Sequence, residues 1–172
     1  MVRKATPGDL DAIAAIYDAI HTEEEAGRAS IGWVRGVYPT RESAADSIAN
    51  GDMFVLESED VVVAAAKINQ EQVPEYKNAR WDYPASEEQV MVLHTLVVAP
   101  AGKGKGYGTQ CVAFYETYAR EQGCPYLRID TNQRNLAART LYKKLGYREV
   151  GVVTCQFNGI PDVPLVCLEK KV

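Results

Sequence analysis

The chain has 172 residues, 47% of them hydrophobic and 24% charged, and its 19 Lys and Arg against 23 Asp and Glu leave a formal net charge of -4. This is the balance of an ordinary globular domain with room for a sizeable core, and it lacks the basic excess of a nucleic-acid binder. The longest apolar run, Val61 to Ala66, is far too short for a membrane span, and Met1 to Ala5 is followed by no signal-like apolar stretch, so a cytoplasmic location without membrane or nucleic-acid partners is expected.

Val2 to Lys4 fits a short first strand. Thr6-Pro7-Gly8-Asp9 then carries helix-start signals, with Thr6 as N-cap, Pro7 at the first helical position and an acid near the positive helix end. Leu10, Ile13, Tyr17 and Ile20 follow at helical spacing, and Glu23-Glu24-Glu25 with Gly27 close the segment. A second helix is predicted after Thr40 to Ala49, stopped by Asn50-Gly51. Met53–Ser58 and Val61–Asn69 read as a hairpin turning at Glu59-Asp60. Residues 70–89, with Pro74 and Pro84, form a long irregular stretch of the kind that serves as a lid or insertion.

Val90 to Val98 is rich in β-branched residues and predicts a strand, ended by Pro100 and glycines. A helix is expected from Gly106 to near Gly123, with Cys111, Tyr115, Tyr118 and Ala119 on one face. Tyr126 to Thr131 predicts a strand, and Asn135 to Leu145 a helix stopped by Gly146. Tyr147–Phe157 and Ile160–Leu168 flank Asn158-Gly159, a strong hairpin signal, while Pro161 and Pro164 suggest that the last strand is irregular or lies at an edge. No internal boundary is visible, so a single domain over 1–172 is expected. The four cysteines, Cys111, Cys124, Cys155 and Cys167, show no CxxC spacing, which points to buried thiols and to no metal site.

Chemistry concentrates first in Gly102-Lys103-Gly104-Lys105-Gly106-Tyr107-Gly108-Thr109, between a strand and a helix. A helix N-terminus offers unpaired N–H groups and partial positive charge, and glycines let a phosphate approach the backbone, so an anionic phosphate ligand fits here. Neither the P-loop spacing nor the dinucleotide spacing is present. A tight strand-to-helix connection would also use such glycines.

The second element is Asn135 to Tyr147, of the form N-x-x-A-x-x-L-Y-x-K-L-G-[FY]. Together with V-x-P-x-x-x-G-x-G-x-G from Val98 to Gly108, it resembles the GNAT superfamily of N-acetyltransferases over roughly residues 90–150. The resemblance implies an α/β (α+β) fold: a mixed, mostly antiparallel central sheet of about six to seven strands flanked by about four helices. It implies acetyl-CoA as cosubstrate and an amine acceptor, a small metabolite or amino-acid-like molecule, attacked directly in a ternary complex. A protein N-terminus or lysine is the same-class alternative, and a non-catalytic acyl-CoA-binding module the different-class one. Relatives of this kind often dimerise, so a homodimer is a further expectation.

Carried over residue by residue, the resemblance puts the coenzyme A pyrophosphate on Lys103, Gly104, Lys105, Gly106, Tyr107, Gly108 and Thr109. Lys103 stands where the family commonly has Gln or Arg, which keeps charge without a bidentate fork. The backbone of Leu96, Val97 and Val98 would pair with the pantetheine arm like an added strand, one N–H steadying the oxyanion, while Asn135 and Ala138 line its other side. Tyr142 matches the tyrosine that donates to the departing thiolate, and it equally fits the apolar face with Ala138 and Leu145. Many relatives place a glutamate early on the strand before the turn. Val92 takes that position here, so His94, two residues on, is the candidate base, with water relayed to Glu87 or Glu88 as an alternative. Trp33, Tyr38, Trp81 and Tyr83 could shape an amine pocket or pack a lid. The run Glu23–Glu25 could attract a cation or be a solvated face.

Overall fold

The computed structural model describes residues 1–172. Seven strands form one sheet in the order β1-β2-β3-β4-β5-β7-β6. The strands are β1 (Val2–Lys4), β2 (Met53–Ser58), β3 (Val61–Asn69), β4 (Val90–Val98), β5 (Tyr126–Asn132), β6 (Arg148–Phe157) and β7 (Ile160–Lys171). Only β4 and β5 run parallel; every other neighbouring pair is antiparallel. The helices are α1 (Leu10–Glu25), α2 (Arg41–Ala49), α3 (Tyr107–Glu121) and α4 (Leu136–Lys144).

Strand alternation sorts the core onto the two sheet faces. Met91 and Leu93 join Val112, Tyr115 and Ala119 of α3 and Tyr142 of α4 in one cluster. On the opposite face, Val55, Ala65 and Val97 meet Ile13, Ile16, Tyr17 and Ile20 of α1. Val90 and Val92 also point that way, but they pack under residues 70–89, where Tyr76 is buried with Leu165 and Cys167. The 70–89 segment is therefore a wall of the core as well as an insertion. It contains two 3-10 turns, Pro74–Asn78 and Glu87–Gln89.

The local signals act as their chemistry requires. Asp9 Oδ2 accepts hydrogen bonds from the Thr6 N–H at 2.7 Å and the Thr6 hydroxyl at 2.9 Å, and Arg3 clamps the same carboxylate. Thr40 Oγ1 accepts from Ser43 N at 3.1 Å and starts α2. Glu59 and Asp60 both take positive φ at the β2–β3 turn, the backbone that matches strand twist. All four cysteines are free and buried.

One expectation needs correcting. The last strand is not an edge: β7 lies between β5 and β6, and β6 is the outer strand. Both prolines are tolerated because β5 pairs with β7 only from Leu165 onward, leaving Pro161 and Pro164 opposite β6 alone. The irregular part of the expectation holds, since Asp162 has φ 54 and the β6–β7 register shifts between Cys155 and Phe157.

Candidate active site

The site opens where two parallel strands separate. β4 and β5 pair from Val90↔Tyr126 to Leu93↔Ile129, and no further. Beyond that point Thr95–Val98 pair only with β3, and Asp130–Asn132 only with β7. At the fork β4 carries a bulge: Ile68 opposes Leu93 and Lys67 opposes Thr95, so His94 has no partner on β3. The bulge resets the alternation, which brings Leu96 and Val98 to the α3 side and turns Val97 into the α1 cluster.

Ala99 N donates to Val63 O on β3 at 2.9 Å. Alternation then turns the Val97 N–H toward β3 as well, and the N–H groups of Leu96 and Val98 toward the open gap. Those two groups are a free strand edge suited to an extended ligand.

The gap holds three cavities in series. The first, of about 460 Å³, runs between the glycine turn and α4, bounded by Val98, Lys103, Thr109 and Leu141. The second is a narrow chamber of about 60 Å³ at the fork, shared with the first through Leu96, Ala138 and Tyr142. The third, of about 500 Å³, lies under α2 and shares His94 and Phe157 with the chamber.

The first cavity has the features an anion site needs. Gly104 and Gly106 have φ 81 and 78, a conformation that favours glycine. Gly106 caps α3, and the N–H groups of Gly106, Tyr107, Gly108 and Thr109 have no backbone acceptor. A Cβ on Gly108 would sit 3.1 Å from Leu141, so the small residue keeps the floor open. Lys103 lines the cleft, while Lys105 is exposed outside its lining. These features fit a pyrophosphate, with Leu96, Ala138 and Leu141 offering apolar walls to the chain beyond it.

The chamber gathers Tyr142, Asn135, His94 and Asp130. The Tyr142 side chain is buried, faces both cavities and makes no hydrogen bond to the protein through its hydroxyl. Burial, then the nearby Asp130 and Cys111, raise its pKa, so the phenol keeps its proton. Asn135 reaches the chamber, but its Oδ1 also caps α4 by accepting from Ala138 N at 3.2 Å.

His94 Nε2 lies 2.6 Å from Asn69 Oδ1. Asn69 Nδ2 donates to Asp52 at 2.9 Å and its Oδ1 accepts from Glu71 N at 3.0 Å, which fixes the amide orientation. Nε2 therefore carries the proton and Nδ1 the free lone pair. Burial and the Lys67 ammonium push the imidazole down to about 4, so His94 is neutral at pH 7.

Asp130, which the sequence marks only as part of a strand, lies in the chamber wall. It is 7% exposed, and Tyr76 donates to its Oδ2 at 2.6 Å, leaving Oδ1 without a protein partner. Burial raises its pKa to about 6, against the lowering effect of the Tyr76 hydrogen bond. No local motif marks Asp130, because its partner comes from the insertion, 54 residues away.

The remaining candidates divide. Val92 is core. Trp33 lines the chamber and Tyr38 the third cavity, where the Tyr38 hydroxyl bonds Thr95. Trp81 and Tyr83 do not reach the site: Trp81 lies 4.1 Å beneath the Arg128 guanidinium and Tyr83 stacks on Tyr126. Glu87 and Glu88 line an outer groove, not the chamber. The Glu23–Glu25 run shapes a loop: Glu23 pairs Arg28, Glu25 pairs Arg35, and Glu24 accepts from Ile31 N and Gly32 N. That loop carries Trp33 over the chamber.

Residues 13–147 match the acetyltransferase (GNAT) family. The chain belongs to this family. The GNAT chain is 27% identical to a streptothricin acetyltransferase from Escherichia coli over 152 residues, 88% of this chain and 78% of that protein. It is 33% identical over 64 residues to the uncharacterized N-acetyltransferase YhfO of Bacillus subtilis (strain 168), a match spanning 37% of this chain and 43% of that protein. In fold it matches a GNAT acetyltransferase from Streptococcus agalactiae 2603 with a TM-score of 0.81 at 21% identity, over 100% of this chain and 95% of that one. The expected sheet and helices are those of the GNAT fold, and family membership makes the protein an acyltransferase. No helix is long and apolar enough to cross a membrane.

Proposed function

We propose that the protein transfers an acetyl group from acetyl-CoA to a primary amine of a small acceptor, by direct attack in a ternary complex. The observation that carries this reading is the serial arrangement of an anion-binding cleft, a chamber holding Tyr142, His94 and Asp130, and a polar cavity behind His94 and Phe157. The family generally uses acetyl-CoA, and the unpaired N–H groups of Gly106–Thr109 suit its pyrophosphate. Leu96 and Val98 would hold the pantetheine arm along the open β4 edge and direct an N–H at the thioester oxygen.

The acceptor enters from the third cavity. Its nitrogen forms a C–N bond to the acetyl carbon as the C–S bond breaks. The amine proton passes to Asp130, and the Tyr142 hydroxyl supplies a proton or hydrogen bond to the sulfur. Asp130 suits the base role better than His94, because a base near pH 6 binds a proton at neutral pH far more readily than one near pH 4. His94, with its Nδ1 free, then orients the amine by accepting one of its N–H groups. We read residues 1–172 as one domain, and the streptothricin acetyltransferase relative supports a small-molecule acceptor.

The test is calorimetric titration with acetyl-CoA, with ATP and NAD as controls, followed by turnover on an amine panel. Selective acetyl-CoA binding and acetylated amine product are expected. Preferential binding of ATP would end the proposal, and acetyl-CoA binding without turnover on any amine would favour a non-catalytic acyl-CoA module.

A further inference from the structure

The third cavity has a consistent electrostatic character. Asp46 and Glu71 line it, with Lys67 as its single ammonium, and Lys67 lies 3.8 Å from Glu71. Glu71 and Gln72 are shared with an outer groove whose other carboxylates are Asp52, Glu87 and Glu88, and which contains no cation. Of these five acids, Asp46, Asp52, Glu71, Glu87 and Glu88, only Glu71 has an ion-pair partner. Several acids elsewhere are held by a cation: Arg28 holds Glu23, Arg35 holds Asp18 and Glu25, Arg41 holds Asp11, and Lys170 holds Glu116. The third cavity adjoins the chamber at His94 and Phe157, and the chamber wall holds Asp130, a side chain more than nine-tenths buried whose Oδ1 has no protein partner. A negative path with a buried carboxylate at its head is complementary to a molecule with several ammonium groups.

Resting on the acetyl-transfer reading, we propose that the natural acceptor is a small hydrophilic oligoamine. One terminal amine is presented between His94 and Phe157 to be acetylated, and a second ammonium is held at Asp46 and Glu71. Longer members would extend a third ammonium toward Asp52, Glu87 and Glu88. Ser43, Ser47, Asn50 and Thr95 give the cavity a polar lining that suits a hydrated, heteroatom-bearing chain. The tract also draws cations in before binding, so the association should weaken as salt screens it.

Three probes of equal carbon number separate the possibilities: 1,5-diaminopentane, 1-aminopentane and 5-aminopentanoate. The expected order of kcat/KM is diamine over monoamine by about tenfold, with the carboxylate-bearing probe lowest. The diamine advantage should shrink as ionic strength rises from 0.05 to about 0.5 M, beyond the Debye screening of such distances. Asp46→Asn and Glu71→Gln should each cut the diamine-to-monoamine ratio by about threefold, chiefly through KM. Equal rates for diamine and monoamine, or a preference for 5-aminopentanoate, would overturn the inference. Calorimetry of the diamine against the protein saturated with coenzyme A separates it from the reading beneath. Selective diamine binding without acetylation would leave oligoamine recognition standing and remove the transfer reaction. Failure to bind the diamine, while another amine is acetylated, would remove the oligoamine and leave the transfer reaction.

Discussion

Asp130→Asn offers a prediction in which stability and activity move in opposite directions. Burial raises the folded-state pKa of Asp130 from 3.8 to about 6. At about 1.4 kcal/mol for each tenfold in proton affinity, the ionised carboxylate costs the native state roughly 3 kcal/mol. The sign follows from the raised value: the native protein binds the proton more tightly than the unfolded chain. The favourable state is complete below pH 3.8 and is lost as pH rises through about 6. Asparagine is close to isosteric and still accepts from Tyr76 but never ionises. It should therefore stabilise the fold at pH 8 by up to roughly 3 kcal/mol and change it little at pH 4. If Asp130 is the base, the same variant should lose about 10²- to 10⁴-fold in kcat at saturating acceptor. Urea unfolding of both proteins at pH 4 and 8, with turnover at pH 8, reads both quantities. A stability difference independent of pH would refute the burial argument. A fully active, stabilised variant would refute the base assignment while leaving the electrostatics intact.

Other substitutions probe neighbouring links in the same reasoning. Tyr76→Phe removes a donor that favours the ionised carboxylate, so the acidic limb of the pH–kcat/KM profile should move upward from about 6; an unmoved limb would show that another group titrates there. His94→Ala should leave that limb in place, because His94 is already neutral above about pH 4, and should act mainly on acceptor KM; a shifted limb would transfer the base role to His94. Tyr142→Phe should lower kcat by about 10- to 100-fold with acetyl-CoA affinity within about twofold, measured by turnover and calorimetry; equal kcat would make Tyr142 a packing residue only. Gly106→Ala adds a Cβ that meets nothing within 4 Å, so its effect is the left-handed φ of 78. It should cost about 1 kcal/mol and weaken acetyl-CoA binding about fivefold or more as the turn relaxes; unaltered affinity would show that the turn does not hold the ligand.

Periodicity and punctuation made most of the fold legible. Leu10, Ile13, Tyr17 and Ile20 give one face because a helix repeats every 3.6 residues, and Asn158-Gly159 turns because both residues tolerate positive φ. The errors arose where a residue's meaning depends on a distant partner. Pro161 and Pro164 argue for an edge only if a strand must be paired on both sides along its whole length. Here β5 ends before reaching them.

The site divides in the same way. Its anion-binding half is local, since one turn and one helix start supply every group, and a run of glycines announces it. The reacting half is not local. The bulge at His94 leaves no glycine or other break in a continuous strand-forming run, yet it decides that Leu96 and Val98, and not Val97, face the gap. Asp130 sits among residues whose pattern says only buried strand. What sets it apart is burial, which raises its pKa, and a hydrogen bond from Tyr76, which is delivered by a segment that looks from sequence like a cover. That segment buries Tyr76 in the core, lends Glu71 and Gln72 to the third cavity and anchors through Trp81 on Arg128. Shortening it should therefore disturb the acid, the acceptor wall and the packing of β5 together, whereas removing a simple lid would change access alone.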